Sequence, residues 1–496
     1  MYILKSSDIY NMELIAKENL HIKEEILMEN AGIAVYNHIK SYDQNIKNIV
    51  ILAGCGNNGG DGFVTARHLI TNGYNVDIFY SMDKESKYHE SAKLNLNILK
   101  SINANLYDFS SLNNMDKYNI IVDALFGTGL KREITGIYKN IIDLANSSKA
   151  YKIAIDIPSG LISDSANSYA TIFQANVTIT FSCLKYCLCM YPAKKYAGEI
   201  IVKNITIPKS HIENYPHNIL ITKDNLPKLK IREKDSHKGN FGKVVCIGSS
   251  EEMAGALKIT SLSAFSSGCG LVTAYHCKNI HRNFISDIPE IMTKAYDYNE
   301  SYAVINFIEQ NATCFTIGNG MGQNSITQEF ILNILKNTTK PVVIDADGIN
   351  ACSIDDLKDI KSNNIIMTPH LREFSKLISK SINDIIEDKI NIAEDFANKY
   401  KITLVLKSAD TIIAAPNKKS YIINNGNTAL SKGGSGDALT GLIASFMAQG
   451  YNQEESCILG AYILGRSSEY AVIDSHPAVV SITNIIKEYK KVFHEL

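Results

Sequence analysis

The stretch NIVILAGCGNNGGDG, residues 48–62, decides the fold class of this chain. Asn48 to Ala53 is apolar and rich in β-branched side chains, the pattern of a strand covered on both faces. Glycines at 54, 56, 59, 60 and 62 interrupt it, and helical periodicity resumes over Phe63 to Asn72. A strand that enters a glycine-rich turn and leaves it as a helix is the opening of a βαβ unit. Glycines at that junction let backbone N–H groups close on an anion, and the helix N-terminus adds partial positive charge. A bound phosphate is therefore expected there, although a tight turn also uses glycine for purely steric reasons.

Outward from this turn the same rhythm continues. Val76 to Tyr80 and Ile120 to Ala124 read as strands with a helix over Tyr88 to Lys100 between them, and Tyr151 to Ile155, Val177 to Phe181 and Glu199 to Asn204 add further strands. Asp8 to Leu20 and Glu24 to Ile39 read as amphipathic helices ahead of the sheet. Periodicity fades from Ile207 to Lys230, where Pro208, Pro216 and Pro227 mark a linker. A second α/β series then runs through Val244 to Ile247, Leu271 to Ala274, Cys314 to Ile317, Val342 to Ile344, Ile365 to Met367 and Thr403 to Leu406. The 496 residues are too many for one hydrophobic core, so two α/β domains with mostly parallel sheets are expected.

Composition narrows the function classes. With 45% hydrophobic and 20% charged residues the chain is an ordinary globular protein. The 50 Lys+Arg and 51 Asp+Glu leave a net charge of -1, with no basic excess to neutralise a nucleic-acid backbone. Met1 to Tyr10 lacks the layout of a signal peptide and no apolar run reaches bilayer-spanning length, so a cytoplasmic location away from membranes is expected. The ten cysteines form no C-x-x-C pair and read as reduced core thiols. Even the local group Cys183, Cys187 and Cys189, in sequence that reads as strand-like, lacks a second metal half-site.

Two further loops of the first half follow predicted strands directly: Asp123 to Leu130, DALFGTGL, and Asp156 to Leu161, DIPSGL. Open α/β sheets bind ligands at such strand ends. Together with the glycine turn they offer Asn58, Asp123 and Ser159 as oxygen ligands for a hard cation and Asp156 as a general acid or base. With Leu27-Met28-Glu29-Asn30-Ala31-Gly32, these motifs resemble the YjeF N-terminal family over about residues 1–215, a Rossmann-like domain whose bacterial members are similar to NAD(P)H-hydrate epimerases. The resemblance implies a substrate site lined by Asn57, Asn58, Gly59, Gly60, Asp61, Gly127, Thr128, Gly129, Leu130, Lys131, Arg132, Glu133 and Asp156. It implies potassium as the ion on Asn58, Asp123 and Ser159, a choice over magnesium that the residues alone do not make.

In the second half His237 to Gly242 leads into a strand, and Gly248-Ser249-Ser250 with Met253 to Ala256 opens the next helix. Gly318-Asn319-Gly320-Met321-Gly322, Asp345 to Asn350 and Thr368 to Phe374 are further strand-end loops. The most informative stretch is KGGSGDALTG, Lys432 to Gly441, followed by a long apolar helix. Its glycines admit a polyphosphate, the helix dipole attracts the charge, and Asp437 in the first turn is placed to take the proton of a hydroxyl during phosphoryl transfer. A first-turn acid also stabilises its own helix by about 0.3–1 kcal/mol, but that role does not call for surrounding glycines. The spacing is not that of a Walker P-loop.

These motifs resemble the ribokinase-like fold, and more closely the ADP/ATP-dependent NAD(P)H-hydrate dehydratase family, over about residues 225–496. The resemblance implies that Ala256, Gly320, His370 and Asp437 contact the hydrated dinucleotide, and that Lys407, Ser408, Ala409, Asp410, Thr411 and Gly436 hold the adenine nucleotide; magnesium is expected to accompany the phosphate donor, as metals do in phosphoryl transfer. Lys407-Ser408 stands where the family has Lys-Gly, and Gly426 to Leu430 reads GNTAL in place of GNPGM. Taken together the halves imply metabolite repair by a multifunctional enzyme, an isomerase and a lyase in one chain, with Asp156 and Asp437 as its catalytic acids or bases. The expected partners are hydrated NADH or NADPH and ADP or ATP, in a homo-oligomer. The alternative is a ribokinase-like small-molecule kinase carrying a non-catalytic nucleotide-binding module.

Overall fold

The computed structural model describes residues 1–42, 48–280 and 288–496. The chain forms two compact units, Met1–Asn218 and Ile219–Leu496. After a two-residue strand, Tyr2–Ile3 (β1), the first unit is built on β2 (Asn48–Ala53), β3 (Asn75–Tyr80), β4 (Asn105–Asp108), β5 (Ile120–Ala124), β6 (Tyr151–Ile155), β7 (Val177–Phe181) and β8 (Glu199–Lys203). They lie side by side in the order β4-β3-β2-β5-β6-β7-β8, every neighbouring pair parallel. Ile49, Val50, Ile51, Leu52 and Ala53 are fully buried, which is why the founding strand carries no polar alternation. The chain moves outward from β2 to β4 and then returns past β2 to β5. The carboxyl ends of β2 and β5 therefore flank the point where strand order reverses, the crevice in which open α/β sheets hold ligands.

The helix after β2 begins at Asn57 and runs to Thr71, six residues earlier than the sequence suggests. Asn57 to Gly62 are thus the first turns of a helix and not a loop. Close packing overrides the poor helix propensity of these glycines: a Cβ on Gly59 would stand 1.9 Å from the Gly54 carbonyl, and one on Gly60 2.5 Å from Met28 Cε. Cys187 and Cys189 also depart from expectation, lying in a short helix, Tyr186–Cys189, where strand-like sequence was read. All ten cysteines are free thiols and all but Cys55 are buried.

The second unit contains β9 (Asn218–Leu220), β10 (Lys243–Gly248), β11 (Leu271–Cys277), β12 (Met292–Tyr296), β13 (Cys314–Asn319), β14 (Val342–Ile344), β15 (Ile365–Met367), β16 (Thr403–Leu406), β17 (Thr411–Ala414) and β18 (Tyr421–Ile423). The order is β9-β18-β17-β16-β15-β14-β13-β10-β11-β12. Strands β10 to β16 pair in parallel, and β16-β17-β18 form an antiparallel meander. Strand order reverses between β10 and β13, so Gly248 and Asn319 end at this unit's own switch point. The helix Ser435–Ala448 brings Asp437 to it in its first turn, and every residue of that helix from Ala438 to Ala448 is buried. Its all-round apolarity is the mark of a helix enclosed in a core. Among the described residues no helix is long and apolar enough to cross a membrane.

Candidate functional sites at the two switch points

A cavity of about 1060 Å³ opens at the β2/β5 switch point. Asn57, Asn58, Asp61, Gly127 to Glu133 and Asp156 line it. Gly59 and Gly60 face inward packing instead. Asp123 and Ser159 stand behind the wall, both fully buried. Ser159 donates from its N–H to Asp123 Oδ2 at 2.8 Å and from its hydroxyl to Oδ1 at 2.7 Å, and Leu125 N–H adds a bond of 3.1 Å. Burial outweighs these bonds and pushes the Asp123 carboxyl up to about 6. The Asn58 side chain lies against Gly127, and among the described residues neither of its buried polar atoms has a hydrogen-bond partner. Such an orphaned amide oxygen, near a buried carboxylate with no cationic side chain on it, suits a cation with oxygen ligands.

Asp156 follows β6 with a left-handed backbone, φ 66°. Its Oδ1 accepts from Lys185 Nζ at 2.5 Å and from Thr180 Oγ1 at 3.1 Å. Lys185 is almost fully buried, and it also bonds Thr180 Oγ1 at 2.9 Å. Glu13, from the first helix, lines the same cavity; burial pushes its carboxyl up to about 7 against the pull of Lys185. Asp61 is held well above the usual carboxylate range by burial and by the neighbouring Asp156, Glu13 and Glu24. The sequence reading missed Lys185, Thr180 and Glu13. No motif surrounds any of them, and only the fold brings a helix near the chain start and the segment after β7 to the same wall.

In the second unit Asn319 at the end of β13, Asp345 just after β14 and Asp437 in the helix Ser435–Ala448 come together. Asn319 Nδ2 donates to Asp437 Oδ1 at 2.7 Å and to Asp345 Oδ2 at 3.2 Å. Asp345 Oδ1 takes Lys407 Nζ at 2.7 Å, and its Oδ2 takes the Thr440 hydroxyl at 2.9 Å. Burial and the charge of Asp345 push the Asp437 carboxyl up to about 6. Burial acts on Asp345 too, but the Lys407 ammonium prevails and holds it below its ordinary value. A carboxylate matched to near-neutral pH and a neighbouring ammonium can take a proton and receive an anion.

Gly320 and Ala256 are neighbours: at φ 67°, a Cβ on Gly320 would stand 2.9 Å from Ala256 Cβ and 2.6 Å from the Met253 carbonyl. A Cβ on Gly436 would be 3.1 Å from Lys407 Nζ, so these two expected nucleotide contacts face each other. His370 caps the helix Leu371–Ile378, accepting from Arg372 and Glu373 N–H at Nδ1, while Nε2 of its half-exposed ring lies 3.5 Å from Glu373 Oε1. Asp410 is placed otherwise: its carboxylate is buried on Lys389 Nζ at 2.8 Å, and the Ser408 hydroxyl bonds the same lysine at 2.9 Å. Of Ser408 to Thr411, then, Ser408 and Asp410 spend their side chains inside the fold. Asn319 and Asp345 stand in loops whose sequence was noted, yet their contacts to Asp437 cross from strand to helix and leave no linear signal.

Residues 24–187 match the family described as YjeF-related protein N-terminus, and residues 244–491 match the NAD(P)H-hydrate dehydratase family. The chain is 33% identical over 484 residues to the bifunctional NAD(P)H-hydrate repair enzyme of Dictyoglomus turgidum, spanning 94% of this chain and 93% of that one. To the enzyme of the same name from Escherichia coli K12 it is 28% identical over 465 residues, 94% of this chain and 88% of the relative. In fold it is similar to a ribokinase-like superfamily protein from Enterococcus faecalis, with TM-score 0.51 and 25% identity over 56% of this chain and 95% of that one. It also resembles the ADP/ATP-dependent NAD(P)H-hydrate dehydratase from Bacillus subtilis co-crystallised with ATP and Mg²⁺, with TM-score 0.50 and 24% identity over 54% and 94% of the two chains.

Proposed function

The chain belongs to the family of bifunctional NAD(P)H-hydrate repair enzymes, and from that premise we propose that its two switch-point sites carry out successive steps of one repair. The first interconverts the R and S epimers of NADH or NADPH hydrated at nicotinamide C6. The second dehydrates the S epimer at the expense of ADP or ATP. The observation that carries this reading is that one chain holds two separate switch-point sites, each with a carboxylate set beside a lysine: Asp156 with Lys185, and Asp437 in the Asn319-Asp345-Lys407 group.

In the first unit the C6 oxygen leaves and returns, with Asp156 and its Lys185 partner at the exchanging oxygen. Asn57 to Asp61 and Gly127 to Glu133 hold the nucleotide around it. Asn58, Asp123 and Ser159 would hold potassium, which supplies positive charge that favours ionised Asp123 and ties the three loops together. In the second unit Asp437 takes the proton of the C6 hydroxyl as its oxygen attacks the terminal phosphoryl group, and AMP or ADP departs. The C6–O bond then breaks with phosphate taking the bonding pair, driven by the ring nitrogen lone pair. Loss of a C5 proton restores the dihydronicotinamide. Ala256, Gly320 and His370 hold the dinucleotide, while Lys407, Gly436 and the backbone of Ser408 to Thr411 receive the donor. Magnesium accompanies the donor and neutralises phosphate charge, as suits a family member crystallised with ATP and Mg²⁺.

The test supplies an R/S hydrate mixture with ADP, ATP or neither and follows absorbance of the restored dihydronicotinamide. Dehydration is expected only with nucleotide, and both epimers are expected to be consumed. Rapid restoration without nucleotide would overturn the phosphorylation step. Accumulation of a phosphorylated product in place of dihydronicotinamide would favour a small-molecule kinase. A potassium series on the parent and on Asp123→Ala tests the cation: epimerisation by the variant should lose its potassium response and most of its rate.

A further inference from the structure

The second unit contains a polar side chain that the reaction as outlined leaves without a role. Asn319 is fully buried at the end of β13, and its Nδ2 spans two carboxylates, Asp437 Oδ1 at 2.7 Å and Asp345 Oδ2 at 3.2 Å. Both neighbours accept only, so the amide has one orientation: rotated by half a turn, its oxygen would face two anions. Asp345 cannot swing away, because Lys407 holds its Oδ1 and Thr440 its Oδ2. The bond to Asp437 Oδ1 restrains that carboxylate about its own torsions, and among the described residues Oδ2 takes no hydrogen bond.

We propose that Asn319 is a positioning residue for Asp437, aiming the carboxylate through its amide while Asp345 anchors the amide from behind. This rests on the reading of Asp437 as the base of the dehydratase step. The two groups act on Asp437 in opposite senses: the hydrogen bond from Asn319 favours its ionised form, whereas the charge of Asp345 disfavours it. Lys407 and Asp347 are the other charged groups that bear on it, the lysine lowering and the aspartate raising. Asn319 therefore supplies direction, and on top of burial, the largest influence, the opposed effects of Asp345 and Asn319 adjust the pH at which the base becomes available.

The experiment measures kcat and KM for nucleotide-dependent dehydration of the S hydrate across pH in the full chain, for the parent, Asn319→Ala, Asp345→Asn and Asp437→Asn, each with a thermal melt. Asn319→Ala should lower kcat roughly 10–100-fold, the loss typical of one charge-assisted hydrogen bond, with KM for hydrate little changed and the acid limb of kcat moved up by about one unit. Asp345→Asn should move that limb down. An acid limb that stays in place in folded Asn319→Ala, or that moves in the same direction in both variants, overturns the proposal. Should Asn319→Ala fail to melt as the parent does, Asp345→Asn decides: a downward move supports the arrangement, and no move or an upward one overturns it. Parent-like dehydration by Asp437→Asn marks failure of the underlying reading, whereas an inactive Asp437→Asn beside an unaltered Asn319→Ala marks failure of the positioning role alone.

Discussion

At the scale of single residues the two sites depend on acids whose ionisation the fold makes difficult. Asp437 is raised to about 6, above its unfolded value, so folding disfavours its charged form and the penalty grows as pH rises from about 4 through 6. As the base proposed for dehydration it acts only when ionised. Dehydration should therefore fall away as pH drops below about 6, and Asp437→Asn should lower the rate about 10²–10⁴-fold while epimerisation persists. The same variant should melt higher than the parent at neutral pH and level with it near pH 4, because it removes a charge the fold tolerates poorly. A scan of melting temperature against pH checks the sign; a lower melting temperature at neutral pH would contradict it. Asp410 differs in having a cationic partner: burial raises its carboxyl as well, but its charge meets Lys389, with both side chains almost fully buried. Asp410→Ala should leave that ammonium unpaired and cost about 3–5 kcal/mol, measured as a lower urea midpoint in the full chain. A variant that weakens nucleotide binding at parental stability would instead assign the Asp410 side chain to the ligand.

At the scale of elements, both proposed sites lie where strands end and helices begin, and the glycines there separate into those packed against backbone and those beside the site's side chains. Gly320, at φ 67°, has the Met253 carbonyl 2.6 Å from the place of a Cβ. Gly320→Ala strains its own backbone and displaces the turn that opens the helix Ala254–Ser266, so it should cost roughly 1–3 kcal/mol along with hydrate binding. Gly436 has helical backbone in the helix Ser435–Ala448, and a Cβ there meets only Lys407 Nζ at 3.1 Å and Asp345 Oδ2 at 3.4 Å. Alanine favours helix over glycine. Gly436→Ala should keep or slightly raise the melting temperature yet increase KM for ADP or ATP, while KM for hydrate stays close to parental. An unchanged nucleotide KM would remove Gly436 from the donor site. The strands that sequence reading passed over also belong to this scale. β12 is short and mostly exposed, and β17 and β18 pair antiparallel in a meander. β12 has no buried face to mark it, while β17 and β18 are buried but only 4 and 3 residues long, too short for a periodicity to show.

At the scale of the whole molecule two chemical steps share one chain, and the S hydrate that the proposed first step forms is the substrate of the second. Asp156→Asn should repair a mixture until S is exhausted, and Asp437→Asn should equilibrate the epimers without repairing them. Mixed in equal amounts, the two variants should consume both epimers completely, because each supplies the step the other lacks. Failure of the mixture, with each variant folded and its remaining step intact, would mean that the intermediate does not pass freely between molecules. The sequence by itself determined the α/β class, the central parallel strands of both sheets and the strand-end loops, because burial periodicity and glycine turns are written in consecutive residues. It also named Asp156 and Asp437, since each follows a strand or opens a helix inside a dense local motif. The tertiary structure alone decided that the glycine turn is already helix, that Asp410 turns to Lys389, and that Lys185 and Glu13 share a wall with Asp156. It alone joined Asn319, Asp345, Thr440 and Lys407 around Asp437. Those contacts join residues up to 118 positions apart, and hydrogen bonds that cross from strand to helix obey distance in space, for which no spacing along the chain is a proxy.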